Sequence, residues 1–262
     1  MIDEQLIGAL HLSSARRGEG PVDRGDDRRR AFQASTLSAM LDGAYDGDMT
    51  FAELARRGDH GVGTLNGCDG EMIALDGRFL RADHTGAISE VPPEAQTPFA
   101  VLTFFQPRHR FTAPAGSDFD RLCGAVDEHL GEEPIVHALR IEASFESVLC
   151  RSVPKQVKPY RPLAELLADQ CTFEFREVTG TILGFRFPNL GLGLNVPGYH
   201  LHFVDSERRR GGHALECRTG PDPARIEVDD LASLHVETPP GVELVGERVE
   251  QDDVDALERG GE

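Results

Sequence analysis

Apolar and polar residues alternate through most of the second half of the chain. The pattern is clear in "IVHALRIEASFESVLCRSV", "CTFEFREV", "GTILGFRFP", "GYHLHFV" and "GHALECR", which are also rich in aromatic and β-branched residues. A two-residue period is the mark of a strand with one buried face. The first of these segments is long enough for one or two strands, and "ARIEVDDLASLHVETP" adds more. Upstream, "PFAVLTFFQP" predicts a strand, and "GEMIALDGRFLRAD" predicts two strands joined by Asp76-Gly77, a strong hairpin signal.

Helical spacing is confined to short pieces. Phe32, Leu37, Met40 and Leu41 recur at roughly helical intervals, with Ser35 or Thr36 as N-cap and Gly43 as stop. "TFAELARRG" carries a capping box, Thr50 with Glu53 three residues on. "SDFDRLCGAVDEHLG" and "RPLAELLADQ" predict further helices, and residues 252–259 of the acidic tail one more. Residues 12–30, "LSSARRGEGPVDRGDDRRR", are charged and nearly free of apolar side chains, so a mobile leader is expected over 1–30. The fold class that results is mixed α/β, mostly β, with mixed or antiparallel sheets. Two domains are expected: an N-terminal mixed sheet with short helices over 31–130, and a β-rich C-terminal domain with an acidic tail over 131–262.

Composition narrows the partners. The 262 residues suffice for a real core, and the net charge of −18 makes nucleic acid or an anionic membrane a poor match. Lysine occurs only at Lys155 and Lys158. Cys68, Cys123, Cys150, Cys171 and Cys217 are scattered, odd in number and without a CxxC, which suits buried thiols in a reducing compartment. No signal peptide or membrane span is visible, so a soluble, cytoplasmic protein is expected.

Three of the ten histidines fall in "GYHLHFVDSERRRGGH". On a strand, His200 and His202 point to one face, and Leu201 and Phe203 to the other. The polar stretch ending in Gly-Gly suits a turn, which would bring His213 back beside the pair. Three neutral imidazoles suit Zn(II) or a similar ion with open positions. Two other readings use the same histidines. His200-x-His202-x4-Glu207 resembles a cupin motif, with Glu207 as ligand to iron in an oxygenase. Alternatively, Cys217 joins the histidines around a structural zinc in a non-enzymatic β-rich module. The isolated His60, His109, His137 and His235 suit structural positions.

The chain resembles the α-acetolactate decarboxylase family. The resemblance runs through "FQASTLSAMLDGAYDGDMTFAELARRGDHGVGTLNGCDGEMIALDG", "TPFAVLTFF", "LRIEASFESVLCRSVPKQVKPYRPL", "GTILGFRFP" and "VPGYHLHFV...GGHALE", roughly residues 31–235. "DGEM", "VPGYHLHF" and "GGH" are its most specific parts. Leu65 stands where the family usually has Phe, Cys68 where it has Leu, and Ala143-Ser144 near a usual Gly. The resemblance implies a two-domain, largely β protein, usually a homodimer, whose C-terminal part is barrel-like and carries the metal site. It implies conversion of (S)-2-acetolactate to (R)-acetoin and CO2 with bound Zn2+, held by His200, His202 and His213. It further implies Glu71 and Arg140 as active-site residues and a second glutamate near the chain end; Thr64 lies close to Glu71 in the sequence and is a candidate substrate contact. Gly260-Gly261 would let Glu262 bend inward, with Glu258 as the alternative.

Overall fold

The alternating segments become ladders in the computed structural model, which describes residues 2–7, 10–16, 29–131, 134–190 and 193–240. In chain order the strands are β1 (Ile2–Ile7), β2 (Leu10–Arg16), β3 (Arg30–Ala34), β4 (Met49–Thr50), β5 (His60–Thr64), β6 (Glu71–Leu75), β7 (Arg78–Ala82), β8 (Ile88–Glu90) and β9 (Gln96–Thr97). They continue as β10 (Ala100–Thr103), β11 (His109–Ala113), β12 (Val136–Ser152), β13 (Cys171–Phe187), β14 (Gly198–Asp205), β15 (Gly211–Thr219), β16 (Ala224–Leu231) and β17 (Ser233–Thr238). Helices α1 (Leu37–Leu41), α2 (Phe51–Leu54), α3 (Phe119–Leu130) and α4 (Leu163–Leu167) lie between them.

Local chemistry fixes several of these. The Thr36 side chain caps α1, and Thr50 and Glu53 form the capping box of α2. Asp118 caps α3 by accepting from the Arg121 N–H. Leu75 pairs with Arg78, which leaves Asp76 and Gly77 as a two-residue turn, and both have φ near +50 to +75° as a type I′ turn demands.

Among the described residues, one sheet has nine strands in the order β1-β2-β17-β3-β10-β5-β6-β7-β8 and is mixed, because β17 runs parallel to both β2 and β3. A six-stranded antiparallel sheet has the order β11-β16-β12-β13-β14-β15. β12 pairs with β13 along its length, with β16 through its first half and with β15 through its second half. The succession β12, β13, β14, β15 therefore returns to β12.

Four sequence expectations change. "CTFEFREV" and "GTILGFRFP" are one strand, β13, held continuous by β12 alongside it. "ARIEVDDLASLHVETP" divides at Ala232, sending β16 to one sheet and β17 to the other. Within the segment expected to be a mobile leader, β1 and β2 are paired strands, and Leu10 and Leu12 are buried. The partner of β2 is β17, more than two hundred residues away, which local composition cannot reveal. For the same reason the sheets do not divide at residue 130: β11 belongs to the six-stranded sheet and β17 to the nine-stranded one. Residues 252–259 lie outside the described residues.

The two-residue period sorts side chains between cores. Ala31, Val101 and Val236 of the nine-stranded sheet share a cluster with Val136, Ala138 and Phe185 of the other, so the sheets pack on one another. The opposite faces carry Phe32, Met72 and Leu102 against α2, and Leu201, Phe203 and Ile226 against α3. Leu201 and Phe203 thus point away from the nine-stranded sheet, and His200 and His202 point towards it.

Candidate metal centre and active site

β14 and β15 bring the three histidines together. His202 and His213 are direct partners across the ladder, and His200 lies two residues along on the same face. One nitrogen from each of the three comes within 4.8 Å of the others, and ring centroids are 5.1–5.4 Å apart. Among the described residues this is the group arranged to hold a metal ion. His202 and His213 are buried, and His200 is partly exposed.

The tautomer of His202 is set by β6. Its Nδ1 lies 2.8 Å from the carbonyl oxygen of Met72, which can only accept, so Nδ1 carries the proton. Nε2 then presents its lone pair inward, buried and without a hydrogen bond. Burial, followed by the two neighbouring imidazoles, holds the His202 pKa well below the usual range, so the ring stays neutral. An orphaned, neutral, fully buried imidazole nitrogen beside two others fits a metal.

Glu71 opens β6, opposite Thr64 on β5. Its Oε2 stands 3.5 Å from the His202 Nε2, so the carboxylate faces the same point as the imidazoles. Gly70 just before it has φ +81°, and a Cβ there would lie 2.3 Å from the Ala82 carbonyl oxygen, so only glycine lets the chain enter β6 at this angle. Thr64 Oγ1 donates to the Gly70 carbonyl at 2.7 Å and braces that turn.

Of these groups, Thr64, Glu71, His200 and His213 line one pocket. Its polar wall is Thr64, Glu71, Arg151, Asn195, His200 and His213, and its apolar wall includes Met40, Phe99, Val153 and Leu163. Arg151, 5 % exposed, is the arginine of this pocket. It is the partner of His213 across β12–β15.

Arg140 is elsewhere. Its Nε donates to Glu142 at 2.7 Å and its Nη1 to Asp76 at 3.0 Å, and it does not line the pocket. It lies eleven residues before Arg151 on one continuous strand, roughly 36 Å at ~3.3 Å per residue. "LRIEASFESVLCRSV" holds both arginines, and only the pairing of its far end with β15 distinguishes them. Asn195 was also missed; its place beside the histidines follows from tertiary packing. Glu250, Glu258 and Glu262 lie outside the described residues.

The rival ligands fall away from the centre. Glu207 is an exposed turn residue with its carboxylate 3.4 Å from Arg209. Cys217 packs with Leu201 and Phe203, which lie on the face of β14 opposite the histidines. Of the positions where this chain departs from the family pattern, Cys68 lines the pocket, and burial raises its thiol pKa above the usual range. Leu65 packs in the core beside α2.

Three converging imidazoles, a buried guanidinium and a carboxylate around one pocket suit the binding of a small, oxygen-rich anion at a metal. Comparison with known proteins makes the class specific. A family model described as Alpha-acetolactate decarboxylase matches residues 31–248. The Alpha-acetolactate decarboxylase of Methylococcus capsulatus is 42 % identical over 238 residues, 91 % of this chain and 90 % of that protein. That of Brevibacillus brevis is 39 % identical over 208 residues, 79 % of this chain and 72 % of that protein. The crystal structure of alpha-acetolactate decarboxylase from Bacillus subtilis strain 168 superposes with a TM-score of 0.81 at 31 % identity, covering 89 % of this chain and all of that one. The chain belongs to the alpha-acetolactate decarboxylase family. It is a carboxy-lyase, and its reaction is the decarboxylation of 2-acetolactate to acetoin. Among the described residues, no helix is long and apolar enough to cross a membrane.

Proposed function

We propose that this chain converts (S)-2-acetolactate to (R)-acetoin and CO2 at a Zn2+ centre held by His200, His202 and His213, with Arg151 and Glu71 as the working side chains. The observation that carries the reading is the 3.5 Å approach of Glu71 to the inward nitrogen of His202, in a pocket that also holds Arg151. We read the C-terminal part that carries the metal site as barrel-like, a reading supported by the pairing of β15 back onto β12.

The chemistry assigns the roles. Breaking the bond to the carboxylate leaves its electron pair on the hydroxyl-bearing carbon, and the pair spreads onto the neighbouring ketone oxygen. A divalent cation on three imidazoles supplies Lewis acidity where that charge gathers. Arg151 offers a planar, permanently charged fork that orients the departing carboxylate. Burial strengthens that contact by removing competing water. One proton must then reach one face of the carbon, which fixes the product's configuration. Glu71, on the floor of the pocket, holds and delivers that proton. We assign the second carboxylate to Glu262, with Glu258 as alternative. Thr64 braces the Glu71 turn and borders the substrate.

We further infer a homodimer in the cytoplasm, the latter supported by free thiols at all five cysteines. The test of the reaction is incubation of the purified protein with racemic acetolactate, following acetoin by colour and its chirality by chiral chromatography. Accumulation of (R)-acetoin is the expected result, and its absence overturns the reading.

A further inference from the structure

We infer that Asn195 is a substrate-contacting, specificity-determining residue. Its side-chain amide presents one fixed N–H to an oxygen of bound 2-acetolactate. The inference rests on the reaction proposed above and adds a group to that site.

The amide orientation follows from a chain of hydrogen bonds that allows one arrangement. Gln33, on β3, is fully buried. Its Nε2 donates to the Ser35 carbonyl at 2.9 Å and to the Leu194 carbonyl at 2.6 Å. Carbonyl oxygens only accept, so these two bonds use both Nε2 hydrogens and fix which end of Gln33 is nitrogen. The Gln33 Oε1 must therefore face Asn195, and the Asn195 Nδ2 donates to it at 3.1 Å. An independent bond agrees: the backbone N–H of Val196 donates to the Asn195 Oδ1 at 2.8 Å. Both ends of the Asn195 amide are thus assigned by partners that have no second choice.

That leaves one Nδ2 hydrogen. Asn195 is 8 % exposed and lines the pocket with Glu71, Arg151, His200 and His213. The loop holding it is tied down on both sides of Leu194. Leu37 N–H donates to the Leu194 carbonyl at 3.0 Å, and Ser38 donates through its N–H and its hydroxyl to the Gly193 carbonyl. A neutral donor whose direction is set by a buried glutamine is preorganised, and it loses little entropy when it meets an acceptor. It rewards an oxygen acceptor at that place and penalises a methyl group there, which would leave the N–H buried without a partner. Gln33 does not line the pocket, so it is a positioning residue acting through Asn195.

Asn195→Asp keeps the acceptor for the Val196 N–H and removes the donor. It should lower kcat/KM for acetolactate about 10- to 100-fold, the range for one hydrogen bond to a charged or developing-charge partner. Metal content should stay at the wild-type value. A second measurement is read on the wild-type protein and not on the variant's turnover. The Asn195 side-chain amide signals of 15N-labelled wild-type protein, assigned by their absence in Asn195→Asp, should shift on adding acetoin. Variant turnover within about threefold of wild type, or amide signals unmoved while the His200 and His213 ring signals respond, would overturn the donor role and leave the proposed reaction intact. A wild-type protein that makes no acetoin would overturn the reaction itself and this inference with it.

Discussion

Arg151 stands directly opposite His213 across the β12–β15 ladder, and both side chains are buried. The pairing puts a permanent positive charge on the wall of the pocket that holds the imidazoles. It also separates two arginines that share one strand but not one site.

Arg151→Lys should lower kcat/KM for acetolactate about 10- to 100-fold, because lysine keeps the charge but loses the bidentate fork. Metal content should not change. Arg140→Lys should stay within about threefold of wild type, since its ion pairs with Asp76 and Glu142 tolerate a point charge. Acetoin assays on the two variants side by side decide between the arginines.

Glu71→Gln should fold and make acetoin at least ~100-fold more slowly, the low end for loss of a positioned acid or base. Gln is nearly isosteric and carries no transferable proton. Single-turnover measurements with the pure (S) substrate check this, and activity within a few-fold of wild type would leave Glu71 as the first residue of β6 with no part in the chemistry.

Gly184, at φ +152° on β13, is the partner of Leu201 and sits beside His200. A Cβ there would lie 2.0 Å from the His200 carbonyl oxygen. Gly184→Ala must push β14 away from β13 and should destabilise the protein by about 1–3 kcal/mol or more. It should also weaken metal retention, because the strand that moves carries two of the three imidazoles. Thermal unfolding and metal content after dialysis report the two effects separately.

Acid should destabilise the fold through two buried histidines. Burial first, then the Arg140 charge, lowers the His60 pKa to about 4 from 6.5, and burial brings His137 to about 4 as well. Unfolded, both histidines take up protons near pH 6.5; folded, they resist until about pH 4. Stability therefore falls as pH falls through that window, by roughly 3 kcal/mol in all for His60. Asp229 opposes this, since burial raises its carboxyl to about 6, and it loses stability as pH rises from its unfolded value towards 6. Two histidines outweigh one aspartate. Denaturant titrations at pH 7 and pH 5 should show the lower stability at pH 5, with a smaller difference in His60→Gln.

Removing residues 260–262 should depress acetoin formation and blur its chirality if Glu262 is the second carboxylate. A shortened chain with full rate and stereoselectivity would exclude Glu262 and make Glu258→Gln the next variant.

Much of this was legible in the sequence because it depends on local periods. The HxH spacing placed His200 and His202 on one face, and Gly211-Gly212 brought His213 back to meet His202. Asp76-Gly77 specified its own turn, and Thr50 with Glu53 its own cap. What stayed hidden depends on pairings distant along the chain. β2 is a strand because β17 lies beside it, and Arg151 rather than Arg140 is in the pocket because β12 meets β15 only in its second half. Asn195 reaches the site through Gln33, 162 residues away, and no spacing rule links the two.

The central claim is that decarboxylation occurs at a metal held by His200, His202 and His213. Its most direct test is acetoin formation by the protein as purified, after exhaustive chelation, and after adding back one equivalent of Zn2+. The account predicts activity that disappears on chelation and returns as (R)-acetoin with zinc, and no such recovery in His202→Ala. Undiminished turnover by chelated protein whose metal content has been shown to be nil would contradict it.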